Sequence, residues 1–411
     1  MLRPTATSVV TTMAHLTDPI DELDRWLRGD FVRINTALEE LYFAERIDVI
    51  CGRPDVDELK RELVQQGAPL MTQLAAMPAN WPMATGIAGL PDCPHASYRL
   101  LGLVGHYLAA CQRHEAFVSA HDSGVTGFTD QEGGRQAAWD ISTRIGTALG
   151  VAPRLVFAHQ SLFNDAIAGR YRTFTALPDE DVFIRFNALG VVAYYRAAEA
   201  LRGIANVGVS SVVAGYLLDQ AAASLGDVLR FNQDLARQLD IDRFFFNVRP
   251  YFKTYRVGET DYRGANAGDF SAINEIDVTL GLCSMEDPFY RAVVREKYRY
   301  VPPADRQVLD SLERLPSLAK LFRSEFDSRG ATPEWKANAD RLLAVCKAHG
   351  AAYAFHHQRL VKAYVETPSK TATNAHSAGV TSSGPPLEDV MSMLGRLMKM
   401  RTARPDLGGY V

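Results

Sequence analysis

The sequence predicts a mainly α protein, in which a large helical domain follows a smaller and less regular N-terminal one. Three observations carry that reading. Alanine- and leucine-rich stretches recur at helical spacing from Asn187 to Leu239 and again from Pro333 to Val365. Helix-start signals stand in front of apolar periodic runs. The alternating runs bounded by Asn-Gly or Asp-Gly turns that mark hairpin strands are absent.

In chain order, Asp18-Pro19 before IDELDRWL reads as an N-cap, a proline at the first helical position and an amphipathic run. The chain up to Thr175 is interrupted by loop-like stretches, MPANWPMATGIAGLPDCPH and HDSGVTGFTDQEGG. The turn TALPDED then opens a strongly helical half, which sets the expected boundary between residues 1–175 and 176–411. The helical pattern of Asn187–Leu239 breaks only around Asn206–Ser211. Pro250 places a helix break inside FFFNVRPYFKTYRVG, residues 244–258. A glycine-containing loop, YRGANAG at 262–268, leads to a helix expected near Phe270. Residues 366–386, ETPSKTATNAHSAGVTSSGPP, hold one large apolar residue and read as a polar loop before a last helix, LEDVMSMLGRLMKM. Such a loop serves either as a surface linker or as a lid over a site.

Composition excludes several classes. The chain of 411 residues is 47% hydrophobic and 22% charged, an ordinary globular balance, and its net charge of -4 gives no electrostatic case for nucleic acid or an anionic membrane. Five scattered cysteines without CxxC, CxxCH or zinc-ribbon spacing argue against a disulfide framework, covalent heme and a cysteine-rich metal site. The first residues lack a signal-peptide h-region, and no run reaches the ~18 apolar residues of a membrane span. A cytoplasmic protein, monomer or homodimer, is expected.

Two constellations carry chemistry. From His357, Leu360, Val361, Tyr364 and Val365 fall at +3, +4, +7 and +8, and Tyr353 and Cys346 extend the stripe backward. His357 is therefore the inward histidine, whereas His356 shares its face with Arg359. An inward imidazole is either a core histidine satisfied by a hydrogen bond or an axial ligand of heme iron. Zinc bound by His349 and His356 lacks a carboxylate or thiolate at ligand spacing. The second constellation is Arg249, which projects from an apolar surface of Phe244, Phe245, Val248, Tyr251 and Phe252. A guanidinium there calls for a carboxylate, from an internal ion pair or from a ligand.

Four blocks carry a family resemblance: LPDED at 177–181, residues 244–282, YVPPADRQVLDSLERLPSLAKLF at 300–322, and AFHHQRLVKAYV at 354–365. Together they resemble the heme dioxygenase superfamily of indoleamine 2,3-dioxygenase and its relative, monodechloroaminopyrrolnitrin synthase. The resemblance implies an enzyme with heme b and dioxygen, acting on tryptophan or a related indole, by dioxygenation of the 2,3-bond or by oxidative rearrangement or hydroxylation. A non-catalytic heme protein is the rival from another class. His357 is the implied proximal ligand, with His356 second. Arg249 would hold the substrate carboxylate, with Phe244 and Phe245 on the indole. Asn266 and Ala267 would lie over the distal face, and Gly190 stands where indoleamine dioxygenase has a serine. Asp277 matches a proximal-side aspartate, and Thr381, Ser382, Ser383 and Gly384 match a glycine turn that contacts substrate. One departure stands out: the family arginine three residues before the proximal histidine is Ala354 here.

Overall fold

The computed structural model describes residues 18–45, 50, 52–77, 93–115, 133–366 and 386–407. The chain is mainly α, as its periodicity predicts. Helix α1 (Pro19–Arg28) starts as its sequence signals: Pro19 occupies the first turn and the Asp18 side chain accepts from the Ile20 backbone N–H. It is followed by α2 (Asp30–Ala44), α3 (Pro54–Ala75), α4 (Cys93–Glu115) and α5 (Gly134–Leu149). Their apolar faces meet in one core, with Leu23, Leu27, Phe31, Ile34 and Leu38 buried in it. That core also takes in residues from much later in the chain: Phe244, Val248, Tyr251, Phe252, Tyr255 and Leu360.

The second core is built on a helical hairpin. Helix α6 (Pro178–Val207) and helix α7 (Val212–Gln238) are joined at Gly208, where φ is +82 and L side chains are strained. Proline at the first turn of α6, followed by Asp179, Glu180 and Asp181, is the start that the LPDED block encodes. Helix α7 is long and apolar enough to cross a membrane by length and composition, yet its apolar side packs on α6 and on a later helix, Pro333–Phe355. Between them the chain forms α8 (Ala272–Leu280), α9 (Pro288–Lys297), α10 (Pro303–Ser311) and α11 (Leu318–Arg329). Pro333–Phe355 is α12, and α13 (Leu387–Arg401) packs against it.

Two local features differ from the sequence expectation. The stretch expected as one helix to Val365 is α-helical only to Phe355, and His356–Glu366 is wound as a π-helix. A π-turn shifts the side-chain register, which apolar periodicity does not reveal, and such turns concentrate at functional sites. The second is a short antiparallel hairpin, β1 (Tyr255–Val257) with β2 (Thr260–Tyr262), which turns at Gly258. Three-residue strands are too short to produce an alternating signal. The break at Pro250 is observed: Phe244–Val248 is a π-turn and Arg249–Phe252 a 3-10 turn.

Candidate functional site

The segment that carries Arg249 is held from the N-terminal side. Glu39 on α2 is fully buried and accepts from Arg113 Nε at 2.7 Å and from Arg113 Nη2 at 2.8 Å. Arg113 Nη2 also donates to the Phe246 carbonyl at 2.9 Å, while Asn247 Nδ2 donates to Glu39 Oε2 at 2.9 Å. Downstream, the buried Arg154 donates to the carbonyls of Lys253 and Tyr262, and its guanidinium lies over the Tyr255 ring. Both flanks of Arg249 are thus fixed by charge-assisted hydrogen bonds made in a low dielectric, which are about twice as strong as neutral ones.

Arg249 itself is 3% exposed, with its guanidinium 5.0 Å from the Phe245 ring centroid. Burial pulls its pKa down to about 10, a direction that favours an anion beside it. Phe244 and Phe245 are buried with it, and Phe183 of α6 packs on both Phe244 and Phe252.

The histidine pair sits at the junction of α12 and the π-helix. His357 is 4% exposed and His356 half-buried, so the inward ring is the one the periodicity selects. Burial lowers the pKa of His356 to about 4, with the charges of His357 and Arg401 adding to the effect. The π-helix packs on α7 and on the Phe244–Val248 turn, which in turn packs on α6. Leu360, one turn beyond His357, shares a core with Phe244, Val248 and Phe252. The fold therefore brings the His357 segment onto the turn that leads into Arg249, and that turn onto α6. On that helix Gly190 is buried, yet a Cβ added there would meet nothing within 4 Å. A small side chain therefore has room at this position. A buried imidazole beside apolar and aromatic side chains fits a flat apolar group that carries a metal.

Asp277 lies elsewhere in the arrangement. It is fully buried on α8, and the imidazole bonded to it is that of His349, whose Nε2 lies 2.8 Å from Oδ1. Arg401, the last residue of α13, reaches the same carboxylate with Nε at 2.9 Å and 3.0 Å and Nη2 at 2.6 Å. Tyr290 donates its hydroxyl to Oδ2 at 2.8 Å. Burial pushes the Asp277 carboxyl up, but Arg401 and His349 more than offset it and hold its pKa below the ordinary carboxylate value. The arginine that pairs with Asp277 thus comes from the C-terminal helix, while position 354 holds alanine. Nothing in the local sequence announces this, because Arg401 reads as an ordinary basic last-turn residue.

The loop over 263–269 is preformed. Arg263 pairs with Asp269 through two hydrogen bonds, and the Asn266 side chain accepts from Gly268 N–H at 2.9 Å. Asn266 and Ala267 are half-buried there. Thr381, Ser382, Ser383 and Gly384 lie outside the described residues. Among the described residues, no group of three His, Cys, Asp or Glu side chains gathers as a metal site, which leaves zinc at His349 and His356 without a ligand set.

With this geometry in hand, comparison with known families gives one match that spans nearly the whole chain. Residues 17–407 match the family described as monodechloroaminopyrrolnitrin synthase PrnB.

Proposed function

The chain belongs to the monodechloroaminopyrrolnitrin synthase family, in the heme superfamily of indoleamine and tryptophan dioxygenases, and from that premise we propose that His357 holds heme b and Arg249 the substrate carboxylate. The chain is an enzyme, a heme-dependent oxygenase that uses dioxygen on a tryptophan-derived indole. The observation that supports the site assignment is the packing of the buried His357 segment on the turn that leads into the buried Arg249.

The chain's own side chains do four things in this reading. His357 offers a neutral imidazole, from an apolar face, to the iron. Arg249, rigidly backed by Asn247 and Arg113, fixes the amino-acid end of the substrate by paired hydrogen bonds. Phe244 and Phe245 supply an aromatic wall for the indole, and the buried core around them excludes water. Gly190 leaves room and places no acid or base beside the reacting ring. When bound, heme supplies dioxygen activation, the chemistry that no side chain here provides.

The reaction we assign first is insertion of both oxygen atoms across the indole 2,3-bond, which opens the ring without any other reductant or oxidant. Family membership supports a second reading, oxidative rearrangement of the indole, because the family takes its description from a synthase in secondary metabolism. Product analysis after incubation of the reduced, heme-loaded protein with L-tryptophan and ring-chlorinated tryptophans separates them. An N-formylkynurenine-type chromophore supports ring opening. A new product without it supports rearrangement, and no product from any of these indoles overturns both readings.

Gly190 supplies a further test. Gly190→Ala is expected to stabilise the chain by roughly 0.5–1 kcal/mol, because a helix-interior glycine is replaced where space exists. Gly190→Leu is expected to fold yet take up heme or substrate poorly. Thermal melts beside heme titrations check both, and a Gly190→Leu protein that melts normally and binds as wild type contradicts the assignment.

A further inference from the structure

Helix α13 lies on the surface of the second core, with Met393, Leu394, Met398 and Met400 partly buried against it. Of its 15 residues, only Leu397 and Arg401 are buried. Arg401 is 2% exposed, and its guanidinium lies 4.2 Å from the Tyr353 ring centroid on α12 while it grips Asp277. The two helices come close at Gly350, where an added Cβ would lie 3.0 Å from the Arg401 carbonyl oxygen and 3.3 Å from Thr402 Cα. A side chain there would crowd the end of α13, from which Arg401 reaches under α12.

The carboxylate it reaches is shared. Asp277 accepts from His349 on α12, from Tyr290 on α9 and from Arg401 on α13. A buried carboxylate without a counter-charge is costly, so ionised Asp277 and docked α13 require each other. His349 and Tyr353 lie on the helix that runs directly into His356 and His357.

We propose that Arg401 is a positioning residue, which clamps the C-terminal helix onto the histidine-bearing helix and neutralises Asp277 beside it. The clamp sets both the docking of α13 and the electrostatic potential at His357. The second part rests on the reading of His357 as the iron ligand. The pair acts as one neutral unit: without Arg401 the site gains negative charge, and without the Asp277 charge it gains positive charge.

Three variants test this: Arg401→Met, Asp277→Asn, and the two combined. Two readouts are needed, hydrogen exchange of α13 in the heme-free protein and the reduction midpoint of the heme-loaded protein. In Arg401→Met, the α13 amides are expected to lose protection and the midpoint to fall, since a net negative charge favours the ferric state. In Asp277→Asn the midpoint rises. The double variant returns toward the wild-type midpoint because the charge balance is restored, and Arg401→Lys retains part of the protection. Midpoints that move in the same direction in both single variants, or do not move, overturn the electrostatic role. Unchanged α13 exchange in Arg401→Met overturns the clamp. A wild-type protein that binds no heme contradicts the ligand reading instead, and the exchange experiment still decides the clamp.

Discussion

Arg249→Leu is expected to weaken binding of an indole amino acid by roughly 100-fold while leaving heme uptake intact. Two charge-assisted hydrogen bonds to a carboxylate contribute about 3 kcal/mol in a buried site, and leucine removes both. The fold tolerates the change. Arg249 is 3% exposed, with its guanidinium on the Phe245 ring, so leucine there stays among apolar side chains. The flanking anchors, Asn247 to Glu39 and Arg113 to the Phe246 carbonyl, do not involve its side chain. Arg249→Lys keeps the charge but loses the fork, so an intermediate loss is expected. Titration with L-tryptophan, followed by the heme absorption spectrum, checks the order wild type, lysine, leucine. Equal affinities in all three proteins contradict the assignment of Arg249.

His357→Ala is expected to lower heme affinity by more than about 100-fold, since loss of a partner behind a metal ligand alone costs 10–100-fold. Added imidazole is expected to restore a spectrum in this variant, because the vacated space beside the π-helix accepts the free ring. His356→Ala leaves the Soret band in place, as the half-buried ring at 356 is the outward one of the pair. Loss of the band in His356→Ala alone assigns the iron to the other histidine. A band unchanged in both variants removes the pair from the site.

Much of the architecture is legible in the residues because it rests on strong local signals. Asp18-Pro19 and LPDED announce two helix starts, and the interruption near Asn206–Ser211 becomes the Gly208 turn between α6 and α7. The inward orientation of His357 follows from the apolar stripe around it. What the sequence hides is long-range. Glu39, Arg113 and Asn247 form one anchor from α2, α4 and the Arg249 segment, and no local pattern joins them. The Asp277–Arg401 pair likewise links α8 to the end of α13. The π-helix at His356–Glu366 is hidden for another reason: apolar residues at α-helical spacing carry no signal for the wider turn. The hairpin at 255–262 is too short to be read.

One spectrum tests the heme and substrate assignments together. The heme-free protein is titrated with ferric heme, then reduced, and the absorption is recorded before and after addition of L-tryptophan or a chlorinated tryptophan. A saturable Soret band at one heme per chain is expected, with a further shift when the indole amino acid binds beside the iron. A protein that takes up no heme contradicts these assignments, and so does a heme spectrum that no indole amino acid perturbs.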